Sequence, residues 1–329
     1  MPQPSYPYAC ARLSALQKGI LDAATLRRMA DSSLEDAMRV LLDVRYGNIP
    51  DATPSDCERM IDAELRAAAQ EIRELSPNPA LTDLFLLETD IHNLKILIKA
   101  RLLGENDPEW LDGGLFDREH LVKYLNDADY RQLPIPVAAA LTELDAMLRV
   151  GVAPQKISVQ LDRAYLRYAI ETANKCDEPF ARVYFAALCD FNNILTFLRM
   201  RAMGAPREDM RDMLLAEGGI RRKALLDAYE LSYDSLNRVL SNSVAKDALI
   251  AGLAEMQRTG RIGALEKARD DYLLSLIKPH RYDVTTIYPI VGYLFAKRRE
   301  AQAIRLIITV KRNGLDDAVI GERLRELYG

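Results

Sequence analysis

Apolar residues recur every three or four positions along most of this chain. Leu84, Leu87, Ile91, Leu94 and Ile98 form one such series, and Leu188, Phe191, Ile194, Leu195 and Leu198 form another. That spacing places them on one stripe of an α-helix and predicts helices buried on one face. No stretch alternates with period two long enough to predict a sheet. Gly104, Gly204 and Gly314 each follow a base and close an apolar run. This is the pattern of a helix that ends on a left-handed glycine. Breaks are predicted at Ser76–Pro79, Pro134–Pro136, Pro154, Pro179, Pro206 and Pro279, and in the Gly113-Gly114 and Gly218-Gly219 pairs.

The pattern repeats. Asp90–Gly104 reads DIHNLKILIKARLLG, Asp190–Gly204 reads DFNNILTFLRMRAMG, and Glu300–Gly314 reads EAQAIRLIITVKRNG. In the first two copies Asp90/Asp190, Asn93/Asn193, Arg101/Arg201 and Gly104/Gly204 all differ by 100. The third keeps an acid (Glu300), a base (Lys311) and the glycine (Gly314), with Ala303 in the asparagine position. Flanking segments repeat as well: Leu111–Leu125 corresponds to Leu215–Tyr229, and the element from Leu121 corresponds to that from Leu225. The segment left to be its third copy starts at Thr25, at the other end of the chain. The expectation is an all-α fold of three similar helical units with pseudo-threefold symmetry, closed into a funnel. It is circularly permuted, so that one helix over Thr25–Leu42 completes the C-terminal unit. The units are expected at 46–133, 134–242 and 243–329 with 1–45.

On a helix, positions 90, 93, 101 and 104 fall at about 0°, 300°, 20° and 320°, one narrow stripe. Asp90 and Arg101 stand about 16 Å apart along the axis, too far to pair. Each needs a partner on another segment, and the stripe is expected to be structural, locking adjacent units together, rather than ligand-binding.

Composition narrows the function. The chain has 329 residues, nearly half hydrophobic, and a net charge of −4, which gives no electrostatic case for nucleic acid. Arg221-Arg222-Lys223 and Lys297-Arg298-Arg299 read as solvated helix faces. Cys10, Cys57, Cys176 and Cys189 show no paired spacing and fit a reducing compartment. Pro2, Pro4, Pro7 and Arg12 argue against a signal peptide. No uncharged apolar run approaches the ~18 residues of a spanning helix. There is no phosphate-binding glycine loop and no G-x-S-x-G elbow, and His92, His120 and His280 lack metal-ligand spacing. Asp270-Asp271 and Asp316-Asp317 lack the third acid of a D-D-x-x-D motif. These absences predict a chain with no cofactor, no metal and no catalytic residues, which neither binds nor hydrolyses ATP.

Ile287–Tyr328, with Glu300 and Arg305 on a long helix, a basic-x-glycine end and a closing amphipathic helix ending L-R-E-L-Y, resembles the C-terminal signature of one family, the C subunit of V-type (A/V-type) ATP synthases. Its eukaryotic relative is the d subunit of the vacuolar ATPase. The opening Tyr6–Leu21 and Asn93–Gly104 are similar to that family too, and the resemblance spans essentially the whole chain. It implies a non-catalytic central-stalk subunit, a three-domain funnel on the cytoplasmic face of the proteolipid ring. Such a subunit receives the central shaft and transmits torque for ion transport. The alternatives are a helical-repeat adaptor holding a partner helix or peptide in its concavity, and an all-α enzyme with an acidic metal-binding pocket.

Overall fold

The computed structural model describes residues 4–106, 108–216, 218–316 and 320–321. The described residues form helices joined by turns, with no strand among them, so the fold class is all-α. In chain order the helices are α1 (Tyr6–Gln17), α2 (Ala23–Ala30), α3 (Leu34–Asp43), α4 (Cys57–Leu75) and α5 (Pro79–Leu103). There follow α6 (Arg118–Asp127), α7 (Ile135–Val150), α8 (Pro154–Lys175), α9 (Pro179–Ala202) and α10 (Arg207–Met213). The last are α11 (Arg222–Ala228), α12 (Tyr233–Leu240), α13 (Lys246–Thr259), α14 (Gly263–Ser275) and α15 (Tyr288–Arg312). The closing amphipathic helix expected at the end of the chain, with its L-R-E-L-Y, lies outside the described residues.

Helix starts follow local chemistry. The side chains of Asp22, Ser33 and Asp117 accept the backbone N–H groups of Thr25, Asp36 and His120 at 2.7, 3.1 and 2.9 Å. These bonds satisfy donors that a helix leaves without a partner in its first turn. Ser33 also explains a difference from expectation. The sequence predicts one helix over Thr25–Leu42, but two form. Ser33 takes an extended conformation (φ −67°, ψ 167°) and starts α3 afresh. The segment from Leu225 is likewise split into α11 and α12, with Ser232 extended between them.

The chain divides into two compact units. The first joins Met1–Thr89 and Leu111–Leu115 to Ile277–Gly329. Within it α15 packs against α1, α2, α3 and α4, and is buried along most of its length. A core cluster links Leu26 and Met29 of α2, Met38 and Leu41 of α3, Met60 and Ile61 of α4, and Ile304, Ile307 and Ile308 of α15. The second unit holds Asp90–Trp110 and Phe116–Leu276. Helix α9 runs through its middle, packed on α8, α10 and α14, while α7 packs on α8 and α13 on α14. Phe185, Phe191 and Phe197 of α9 are completely buried.

Candidate functional site

Each of the three repeated segments ends in the same bonded turn. Gly104, Gly204 and Gly314 have φ of +72°, +65° and +60°. The residue after each donates its N–H to a carbonyl in the preceding turn: Glu105 to the Ala100 carbonyl, Ala205 to Met200, and Leu315 to Val310, at 2.9, 3.0 and 3.0 Å. A Cβ at any of the three glycines would meet open space. Conformation alone therefore selects glycine there.

The repeated acids are fully enclosed. Asp90 and Asp190 are 0% exposed and Glu300 1%. All three reach backbone amides of another segment. Asp90 Oδ1 accepts the Phe116 N–H at 3.3 Å. Asp190 accepts the N–H groups of Gly219 and Ile220 at 3.1 and 3.0 Å and the Ser243 hydroxyl at 2.6 Å. Glu300 Oε1 accepts the Leu21 N–H at 2.6 Å, across 279 residues of sequence. Asn193 adds a two-way grip: its Oδ1 accepts from Leu215 N at 2.7 Å and its Nδ2 donates to Ala216 O at 3.0 Å. Asn93 is equally buried, and Ala303 fills the matching position in α15 as a buried apolar residue. Burial raises the pKa of Asp190, against the pull of its three hydrogen bonds. Gly218 shows how tightly the gripped turn sits. A Cβ there would lie 2.3 Å from the Ala186 carbonyl and 2.5 Å from Asp190 Oδ1.

The repeated bases have diverged. Arg101 donates to the carbonyls of Leu125 and Val122 at 3.1 and 3.4 Å and to Asn126 Oδ1 at 2.6 Å, closing the C-terminal end of α6. Lys311 donates to the Ala30 and Ser32 carbonyls at 2.6 and 2.5 Å, at the end of α2. Cations are favoured at such ends, where carbonyls are left unpaired. Arg201 instead lies over the Tyr233 and Phe197 rings, 5.0 and 5.6 Å from their centroids. The neighbouring Arg207 takes the carbonyl of Leu226 at 2.9 Å and the Asp227 carboxylate at 2.7 Å. Arg305 pairs with Glu58 of α4 at 2.8 Å.

One expectation is overturned in the first unit. Lys297-Arg298-Arg299 is no solvated face: Lys297 is 4% exposed and Arg299 7%. Helix α15 is enclosed by its neighbours, and carboxylates from other turns and helices compensate the charges of Lys297 and Arg298. Lys297 Nζ donates to Glu64 Oε2 at 2.8 Å and Glu300 Oε2 at 3.0 Å, and lies 5.6 Å from the centre of the Tyr46 ring. Arg298 donates to Glu88 at 3.0 Å and to the Phe85 carbonyl at 2.6 Å. Burial lowers the Lys297 pKa, but the two carboxylates outweigh it and hold the value above the ordinary lysine range. Burial pushes Glu300 up, offset in part by Lys297 and the Leu21 amide. Position 297 corresponds to Leu87 and Ala187 in the other two copies, so the repeat itself gave no sign of a buried base.

These enclosed carboxylates accept from backbone amides, with the Ser243 hydroxyl added at Asp190 and the Lys297 amine at Glu300. The arrangement fixes turns and helix ends. Among the described residues no group of three or more His, Cys, Asp or Glu could hold a metal ion. Among them also no helix is long and apolar enough to cross a membrane. His120 is a local partner of Asp117, Nδ1 to Oδ1 2.6 Å, on an exposed turn.

Relatives share this chain over nearly its full length. The C subunit of the V-type sodium ATPase of Enterococcus hirae is 24% identical over 312 residues, covering 94% of this chain and 94% of that protein. The C subunit of the A-type ATP synthase of Thermococcus onnurineus is 26% identical over 349 residues, covering 98% and 90%. That of Methanosarcina mazei is 22% identical, covering 97% and 92%. The family model described as ATP synthase (C/AC39) subunit matches residues 9–323. On that match, which takes in all three glycine-closed segments and the acids and bases they carry, the chain belongs to the ATP synthase (C/AC39) subunit family.

Proposed function

We propose that this protein is a non-catalytic central-stalk subunit of a rotary V-type ATPase or ATP synthase. It is a socket that joins the central shaft to the membrane proteolipid ring and passes torque between them for ion transport. The observation that carries this reading is the family match over residues 9–323, alongside relatives named as the C subunit of V-type and A-type enzymes. The local chemistry supports it. A coupler has to resist deformation, and close-packed interiors do so. Here the helix ends that would otherwise fray are held by buried acids and by cations on terminal carbonyls. We place the protein on the cytoplasmic face of the membrane, held there by its partners.

In this reading the chain comprises three helical units, 46–133, 134–242 and 243–329 with 1–45, closed as a funnel about a central concavity. The stripe of Asp90, Asp190 and Glu300 with Arg101, Arg201, Arg305 and Lys311, expected to lock adjacent units together, then acts mainly within each unit, with Asp190 to Ser243 and Arg305 to Glu58 as the bonds that cross to another. The support is the likeness of the bonds: a buried acid on backbone amides in all three copies, and a base on the next helix's carbonyls in two.

Reconstitution from purified components tests the assignment. The chain is expected to form a stable complex with the shaft subunits and to associate with detergent-solubilised proteolipid ring. Binding to neither, under conditions where the parent enzyme stays assembled, would overturn the coupling role.

A further inference from the structure

The second unit carries a cluster of cations around one cavity. A cavity of about 230 Å³ is lined by Met147 of α7, Lys156, Val159, Gln160 and Arg163 of α8, Arg211 and Asp212 of α10, and Arg222 of α11. Four of these side chains are cationic and one is anionic. Several other arginines in this unit sit on carboxylates: Arg167 on Glu171, Arg182 on Asp177, Arg199 on Glu266 and Arg207 on Asp227. Here the pattern changes. Arg163, half-buried, is fixed by carbonyls alone: Nε to Leu214 at 3.2 Å, Nη2 to Leu214 at 2.7 Å and to Asp212 at 3.0 Å. Arg222 Nη2 donates to the Arg211 carbonyl at 2.9 Å. Lys156, Arg163 and Arg211 have no carboxylate at ion-pair distance among the described residues.

The carbonyls around Arg163 orient its guanidinium without cancelling its charge. Burial and the charge of Arg222 lower the Arg163 pKa, and Asp212 offsets them only in part. A cluster of that kind is stabilised by an anion entering it, and guanidinium forks match oxyanions bidentately. The cavity is smaller than the ~300–1,000 Å³ of pockets for drug-sized ligands. No aromatic ring lines it, so it offers no platform for a base.

We propose that this cavity is a binding site for a multiply charged phosphate anion, either free or carried as a lipid headgroup. It reads phosphate charge alone, and an adenosine moiety would add nothing.

The test titrates the full-length chain with inorganic pyrophosphate by calorimetry at low salt. A second arm sediments it with phosphatidylcholine vesicles carrying a phosphatidylinositol bisphosphate. Lys156 and Arg211 are exposed and make no side-chain hydrogen bond that the fold needs. The double variant K156E/R211E therefore probes the site without unfolding it, as circular dichroism would check. R131E/K175E removes the same charge from exposed positions elsewhere in the unit. One saturable pyrophosphate site, weakened at least tenfold in K156E/R211E and less than twofold in R131E/K175E, supports a free anion. Vesicle binding lost selectively in K156E/R211E supports a headgroup. Equal loss in both variants would mean diffuse charge and overturn the proposal, as would binding to neither probe. A polyglutamate peptide captured through Lys156 and Arg211 while both phosphate probes fail would also overturn it, in favour of an acidic protein segment.

Discussion

Asp190 is the residue on which most converges: two amides and a hydroxyl from two segments end on one enclosed carboxylate. Removing it strands buried donors, each costing about 1–3 kcal/mol. Asp190→Ala is therefore expected to destabilise the second unit by roughly 3–5 kcal/mol, with faster hydrogen exchange at Gly219 and Ile220. Unchanged protection at those amides would refute the role. Two glycine substitutions separate conformation from space. Gly204→Ala strains only φ and should cost about 1–2 kcal/mol. Gly218→Ala drives a Cβ into the Ala186 carbonyl, where neither side can give way, and should lower the melting temperature further. Equal effects would show that the turn relaxes. Of these positions, the terminal glycines were readable from sequence because helix ends demand them locally. The constraint on Gly218 was not, because it depends on how closely the turn approaches α9.

At the scale of the element, α15 shows what period alone misses. Its aliphatic stripe was plain, yet three consecutive bases argued for an exposed face. Lys297 and Arg299 are buried and Arg298 half-buried, and the partner carboxylates come from far away: Glu64 lies 233 residues from Lys297, and Glu88 210 from Arg298. A window of sequence cannot hold such a pair. The Lys297 node also predicts a pH response. Its folded pKa lies above the ordinary value of 10.5, so the stability it contributes is complete below that value and lost as pH rises through the folded pKa. Glu64, Glu300, Tyr46 and Tyr293 face the same amine, and both phenols are raised by burial, so they act with the same sign. Unfolding should ease steeply in alkali above pH 10.5, and the Lys297→Met variant should show a shallower slope there. Identical slopes in the two proteins would remove Lys297 from the account. The same variant should be less stable at neutral pH, by about 3–5 kcal/mol, because it leaves Glu64 and Glu300 facing each other without a cation.

For the whole molecule, the all-α class followed from the helical period of the repeated segments, and the family from the resemblance carried by Tyr6–Leu21, Asn93–Gly104 and Ile287–Tyr328. The split of Thr25–Leu42 into α2 and α3 did not, because Ser33 could be a helix-interior residue until its neighbours turned it into a cap. The compact first unit contains both the N-terminal helices and α15. Deleting the residues before Leu42 should therefore raise hydrogen exchange along α15 well above its value in the intact chain, while α9 keeps its protection. Uniform protection in the truncated protein would count against a shared unit.

The bond between the Leu21 amide and Glu300 also has a consequence for synthesis. A ribosome adds about 5–20 residues each second, so roughly 15–60 s separate the appearance of the two partners. Throughout that interval Leu26 and Met29 of α2 lack the aliphatic side of α15 that covers them in the finished core. The chain must carry an uncovered apolar patch on α2 throughout that interval. Nascent-chain aggregation and chaperone dependence should accordingly be greatest just before Glu300 emerges, and fall once it does.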